Sequence, residues 1–131
     1  MKTSRKRIRI MVEKTNTGFS AYAADYSIYT TSGSISELME NAFEAASLYF
    51  EEKKIKIEPK NLKYEFDLKQ FFIYYRVINS KFLANKIGMN PTLLSQYVQG
   101  RKRPSEAQTK KIFKGINMIG QELAEIRFIH K

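Results

Sequence analysis

The chain has 131 residues, 43% of them hydrophobic, which suits one ordinary domain or two small ones and argues against disorder. It has no cysteine and one histidine, His130, so disulfides, thiolate catalysis, cysteine-rich zinc sites and Ser-His-Asp chemistry are left almost without raw material. The net charge of +10 gathers in the second half: residues 1–60 carry 10 basic and 8 acidic side chains, residues 61–131 carry 13 and 5.

Residues 5–14, RKRIRIMVEK, alternate charged and apolar side chains through Ile8, Ile10 and Val12, the period of a half-buried strand. Residues 15–18 turn the chain into a second strand over 19–24, with either alternate face open to burial, and 26–31, YSIYTT, reads as a third. The expected arrangement is an antiparallel meander. Ser34 and Glu37 make a capping box for a helix from Ile35 to about Glu52, with Ile35, Leu38, Ala42, Ala45 or Ala46, and Tyr49 on its apolar face. Glu37, Glu40, Glu44 and Glu51 form a stripe opposite that face, either a solvated surface or a surface for a basic partner. Residues 10–60 carry 5 basic and 8 acidic side chains, which suits the second reading.

The segments GFSAYAAD and GSISELMENAFEAASLYFEE resemble the HicB antitoxin family, through Gly33, Ser34, Glu37, Asn41, Glu44 and Ala45. The resemblance covers roughly residues 7–58. It implies a partial RNase H-like unit, a β-β-β-α-β arrangement of one meander, one packed helix and a final strand.

Residues 53–61 are charged and contain Pro59, a boundary at which Ile55 and Ile57 could form a short closing strand. Leu62, Tyr64, Phe66 and Leu68 alternate as a further strand, one that returns to the first sheet or pairs with a second subunit. Asp67 then caps a helix whose Phe71, Phe72, Tyr74 and Tyr75 are expected in the core of the second half. Ser80 is read as the cap of the next helix, with Leu83, Ala84 and Ile87 inward and Gly88 at its end. Pro91 opens another, with Leu94, Tyr97 and Val98 inward and Thr92, Ser95, Gln96 and Gln99 outward, closed by Gly100. After the basic loop Arg101, Lys102, Arg103, a capping box at Ser105 and Gln108 starts a last helix with Ile112, Ile116, Ile119 and Leu123 on its apolar face. Gly115 and Gly120 predict a break near residue 119, and Ile126 to Ile129 a short final strand.

The stretch FLANKIGMNPTLLSQYVQGRKRPS is similar to the Xre family of phage-repressor-like helix-turn-helix domains. The resemblance implies that Thr92 and Gln96 read base edges in the major groove, and that Ser80, Lys81, Gln99, Arg101, Lys102 and Arg103 hold the phosphate backbone.

The sequence therefore predicts an α+β protein. Residues 1–58 form the HicB-like domain, 59–66 a linker or extra strand, and 67–131 an all-α domain of four to five helices carrying the helix-turn-helix. Together the two resemblances imply a type II antitoxin. It would mask a small basic HicA-like RNase toxin through Glu37, Glu40, Glu44 and Glu51, and repress its own operon as a homodimer or higher homo-oligomer on double-stranded operator DNA. The alternative is a stand-alone repressor whose first half dimerises it or senses a ligand. Catalysis is not expected, because only Glu13 and Asp25 lie on or beside the predicted strands of the first half, and a metal-dependent nuclease needs converging carboxylates. No cofactor and no metal are expected. No apolar run approaches a membrane span, and the start MKTSRKRIRIM lacks the apolar core of a signal peptide, so a cytoplasmic protein without a membrane partner is expected.

Overall fold

The computed structural model describes residues 2–3 and 6–128, and the chain is α+β. Its elements run β1 (Lys2–Thr3), β2 (Ile8–Lys14), β3 (Phe19–Ala23), β4 (Tyr29–Ser32), α1 (Ile35–Glu51), β5 (Ile55–Lys56), β6 (Leu62–Phe66), α2 (Leu68–Tyr74), α3 (Ser80–Ile87), α4 (Pro91–Val98) and α5 (Glu106–Glu125). They divide into two units, residues 1–71 and 72–131.

In the first unit the period-two pattern of β2 places Ile8, Ile10 and Val12 on one fully enclosed face. Strand β3 adds Ala21 and Ala23, so the Phe19–Ala21–Ala23 face is the one turned to the core. Helix α1 covers that face with Leu38, Ala42, Ala46 and Phe50, each 0–1% exposed. The large side chains among them contribute about 1.5–3 kcal/mol each relative to exposure. Phe50 takes the place expected of Tyr49, and Ile35 stays at the surface. The helix is started by the Ser34 hydroxyl, which accepts the Glu37 N–H at 3.3 Å.

The sheet order is β4-β3-β2-β6, with β2–β3 and β3–β4 antiparallel and β2–β6 parallel. It is therefore mixed: β2, β3 and β4 pair as the expected antiparallel meander, and the Leu62–Phe66 strand returns to the same sheet in parallel. The chain leaves β4, crosses the sheet face as α1, and returns beside β2 with Leu62 opposite Ile8 and Tyr64 opposite Ile10. The strand that closes the sheet is β6. Among the described residues, the Ile55–Ile57 segment expected there pairs through Ile55 and Lys56, with β1, in a separate two-stranded parallel ladder. Asn61, buried between these segments, accepts the Glu58 N–H at 2.7 Å and donates to the Lys6 carbonyl at 2.9 Å. The Tyr64 hydroxyl donates to the Met39 carbonyl of α1 at 3.2 Å, and burial pushes its pKa up.

Helix α2 begins on the first unit. The Asp67 N–H donates to the Val12 carbonyl and its carboxylate accepts the Gln70 N–H at 3.0 Å, while the Gln70 amide pairs with both backbone groups of Lys14. Phe71 packs edge-on to Phe66, 5.5 Å between ring centroids, and Phe66 on Phe19 at 6.4 Å. The aromatic run is thus split: Phe71 belongs to the core of the first unit, whereas Phe72 is buried and Tyr74 and Tyr75 stack edge-on at 4.8 Å in the second.

In the second unit α3 packs on α4 and on α5. Leu83, Ala84, Leu94 and Ile112 are fully enclosed, with Met89 and Tyr97 beside them in the buried set. Helix α5 runs without a break from Glu106 to Glu125, although its glycines predicted one. Gly115 is buried against Leu83 and Ile87, so the residue that weakens the helix locally is the one that lets α3 approach. Ile126 ends the helix, residues 126–128 form no strand, and Ile129 lies outside the described residues.

Candidate nucleic-acid interface

The second unit presents one polar helix face between two defined turns. Helix α3 starts at Asn79, whose side-chain oxygen accepts the Phe82 N–H at 2.9 Å. Ser80, expected as the cap, is instead the first helical residue. Adjacent residues can both cap, and the amide at Asn79 is the one that reaches back over the first turn. Gly88 ends α3 in the left-handed conformation, φ 69° and ψ 32°, which a Cβ would oppose. The Met89 N–H donates to the Ala84 carbonyl at 2.8 Å and its side chain is buried, fixing the turn.

Helix α4 starts at Asn90, whose side-chain oxygen accepts from both Thr92 N at 2.8 Å and Leu93 N at 3.3 Å. Pro91 supplies the first helical position, where its missing N–H costs nothing. With Leu94 and Tyr97 buried, helical geometry sets Thr92, Ser95, Gln96 and Gln99 together on the opposite side. Thr92 is exposed, Gln96 half-buried one turn further on, about 6 Å along the axis. The Gln99 amide donates to the Ser95 hydroxyl at 3.2 Å, tying the far end of this face together.

Beyond Gln99 the chain folds back on α4. The Arg101 N–H donates to the Gln96 carbonyl at 2.9 Å and the Lys102 N–H to the same carbonyl at 3.3 Å. Arg101, Lys102 and Arg103 are all exposed. Ser105 then caps α5 by accepting the Gln108 N–H at 3.1 Å. The structure thus sets Thr92, Gln96 and Gln99 along one face of α4 with the basic loop following its C-terminal end, and leaves Ser80 half-buried and Lys81 exposed in the first turn of α3. Such a surface can offer amide and hydroxyl groups to base edges and fixed positive charge to phosphates.

In the first unit Glu37, Glu40, Glu44 and Glu51 are all exposed on the side of α1 opposite Leu38, Ala42, Ala46 and Phe50. One member of this stripe escaped the sequence reading. Leu48 lies one turn after Glu44 on the same face and is 59% exposed, an apolar position inside an acidic row. The spacing i+4 from Glu44 was the available signal.

Glu13 is half-buried on β2 opposite Ser20, and Asp25 is exposed in the turn after β3. Three residues of strand, about 10 Å, separate Glu13 from the Ile10–Ala23 pair beside which Asp25 lies. Among the described residues no group of three His, Cys, Asp or Glu side chains is placed to hold a metal ion. On the sheet face away from α1, Arg9 pairs with Glu65 at 3.1 Å, and this hydrogen bond, then the charge of Glu65, raises the Arg9 pKa. Desolvation first, then the charges of Glu13 and Asp67, raises that of Tyr22. No helix of the described residues is long and apolar enough to cross a membrane. No protein-family model, curated protein or solved structure matches the chain.

Proposed function

We propose that this protein is a HicB-like antitoxin whose second unit binds double-stranded operator DNA through a helix-turn-helix formed by α3 and α4. The observation that carries the reading is the division of α4: Leu94 and Tyr97 are buried, Thr92, Ser95, Gln96 and Gln99 face outward, and three exposed basic residues follow at once. In this reading Thr92 and Gln96 contact base edges in the major groove, while Ser80, Lys81, Gln99, Arg101, Lys102 and Arg103 hold phosphates. The chain acts as a homodimer on two half-sites.

The first unit, read as a partial RNase H-like fold of β2, β3, β4, α1 and β6, supplies the protein-facing surface. Its acidic stripe, with Leu48 between Glu44 and Glu51, suits a small basic RNase toxin of the HicA kind, held by charge complementarity beside one apolar anchor. Masking of this sort is steric and uses no catalytic group, cofactor or metal.

Two measurements test the reading. Binding of the purified chain to its own upstream DNA should be specific, and Gln96→Ala should weaken the preference over unrelated DNA. Co-expression with the neighbouring small reading frame should relieve that frame's growth arrest, and an arrest that persists refutes the antitoxin role.

A further inference from the structure

Residues 2–9 carry five basic side chains and no acidic one, and residues 53–60 carry four and one. The fold of the first unit brings these two distant runs together. Strand β1 pairs in parallel with β5, Lys2 opposite Ile55 and Thr3 opposite Lys56. Further along both runs, the side chain of Asn61, next to Lys60, donates to the Lys6 carbonyl at 2.9 Å. Lys6, Arg7, Lys53, Lys54, Lys56 and Lys60 are all exposed. Lys60 bridges to Glu58, the one carboxylate of the second run, at 3.3 Å, and Glu51 and Glu52 at the end of α1 bound the patch on one side.

Aromatic rings seat two of these cations. Tyr26 and Tyr49 meet edge-on with 5.7 Å between centroids, and Tyr26 meets the core residue Phe50 at 4.9 Å. The Lys6 Nζ lies 5.9 Å from the Tyr26 centroid and the Lys53 Nζ 5.1 Å from that of Tyr49, which restricts two otherwise mobile side chains. Lys54 holds a left-handed backbone, φ 59°, that a Cβ opposes and glycine adopts freely.

We propose that this end of the first unit binds the phosphodiester backbone of nucleic acid, as a contact separate from the helix-turn-helix. Like charges gathered this closely repel, and a chain of phosphates relieves the repulsion while releasing its own counterions. A protein or membrane partner would need an apolar anchor amid the charge. None of the exposed large apolar side chains of the described residues lies in either run. The two tyrosines are half-buried with lysines over their rings, so the surface offers fixed charge and should be indifferent to base sequence. The inference goes beyond the operator-binding reading and does not rest on it, since every residue it uses lies in the first unit.

The test is fluorescence anisotropy of the full chain across a salt series, on a short duplex DNA of unrelated sequence and on a short oligouridine RNA, which separates the two sources of phosphate. Lys54→Gly combined with Lys56→Thr removes two cations. The slope of log affinity against log salt should fall by about 1.8 on the duplex, by about 1.4 on the single strand, or on both. The urea midpoint should hold or rise, because glycine relieves the Lys54 backbone, so the loss is not one of folding. The same fall should appear in a chain whose Arg101, Lys102 and Arg103 are already alanine. Lys63→Thr, which removes an exposed cation of β6 outside either run, should leave both slopes unchanged. Slopes unaltered on both probes in the double variant, an equal fall per charge from Lys63→Thr, or a fall that vanishes in the triple-alanine chain would each overturn the proposal. So would loss of binding to phosphatidylserine vesicles in the double variant with both nucleic-acid slopes kept. A chain that gives the expected slopes but shows no operator preference leaves this contact standing and removes the operator reading instead.

Discussion

Gly115 of α5 lies against Ile87 of α3 with no room for a side chain: a Cβ built there would overlap the Ile87 Cγ2 and stand 3.0 Å from Leu83 Cδ1. The absence of that one carbon sets how closely the two helices pack. It also explains why a glycine persists in the middle of a twenty-residue helix, where it costs about 1 kcal/mol relative to alanine.

Gly115→Ala should therefore destabilise the second unit by about 1–3 kcal/mol, since the overpacking strain exceeds the gain in helix propensity. Gly120 is the internal control. A Cβ there meets nothing within 4 Å, so Gly120→Ala should stabilise by about 0.5–1 kcal/mol. Urea unfolding of the two variants reads both signs, and equal shifts in one direction would contradict the account.

The same glycine shows where sequence pattern ends. Local chemistry was legible: Ser34, Ser105, Gly88 and Pro91 act as their residue types predict, because caps and turns depend on neighbours within four residues. What depends on a distant partner was not. Gly115 reads as a breaker until Ile87 is placed beside it. The alternation at Leu62–Phe66 announces a strand but not that it lies parallel to β2, a pairing set by where the crossover through α1 returns the chain. Phe71 looks like its neighbours Phe72 and Tyr74, yet its partner is Phe66. In the candidate site, the outward face of α4 was legible from period alone, whereas Leu48 was hidden by counting only charges along α1.

The choice between two adjacent caps at the start of α3 gives a second prediction. Asn79→Ala removes the acceptor for the Phe82 N–H and should cost about 0.5–2 kcal/mol of stability. Ser80→Ala, at the first helical position, should change stability by less than about 0.5 kcal/mol. If Ser80 also touches phosphate, its alanine variant weakens DNA binding with thermal unfolding unchanged. Melting curves and binding isotherms on the same two proteins separate the roles.

Alkaline pH should loosen the first unit through Tyr64. Burial raises its pKa above the ordinary 10.0, so the folded state favours the neutral phenol that donates to the Met39 carbonyl. That contribution is complete below about pH 10 and is lost as the pH rises through the raised value, because the unfolded chain ionises first. Tyr22, raised chiefly by desolvation, adds in the same direction. Urea midpoints should fall between about pH 9 and about pH 11, and fall less in Tyr64→Phe. An identical decline in the variant would assign the effect to other groups.

The two kinds of contact proposed at α4 should separate in their salt dependence. Phosphate contacts release counterions, so replacing Arg101 or Arg103 by alanine should weaken binding to operator and unrelated DNA alike and lower the slope of log affinity against log salt by about one. Base contacts release none. Thr92→Ala and Gln96→Ala should each cost about 1–3 kcal/mol on operator DNA, leave non-specific binding nearly unchanged and preserve the slope. Fluorescence anisotropy across a salt series, on both DNA types, measures all four quantities together. Since the Gln96 carbonyl anchors the backbone of Arg101 and Lys102 while its side chain faces outward on α4, Gln96→Ala keeps the loop's anchoring bonds. A slope that nonetheless changed in Gln96→Ala would mean that this side chain contacts phosphate and not bases.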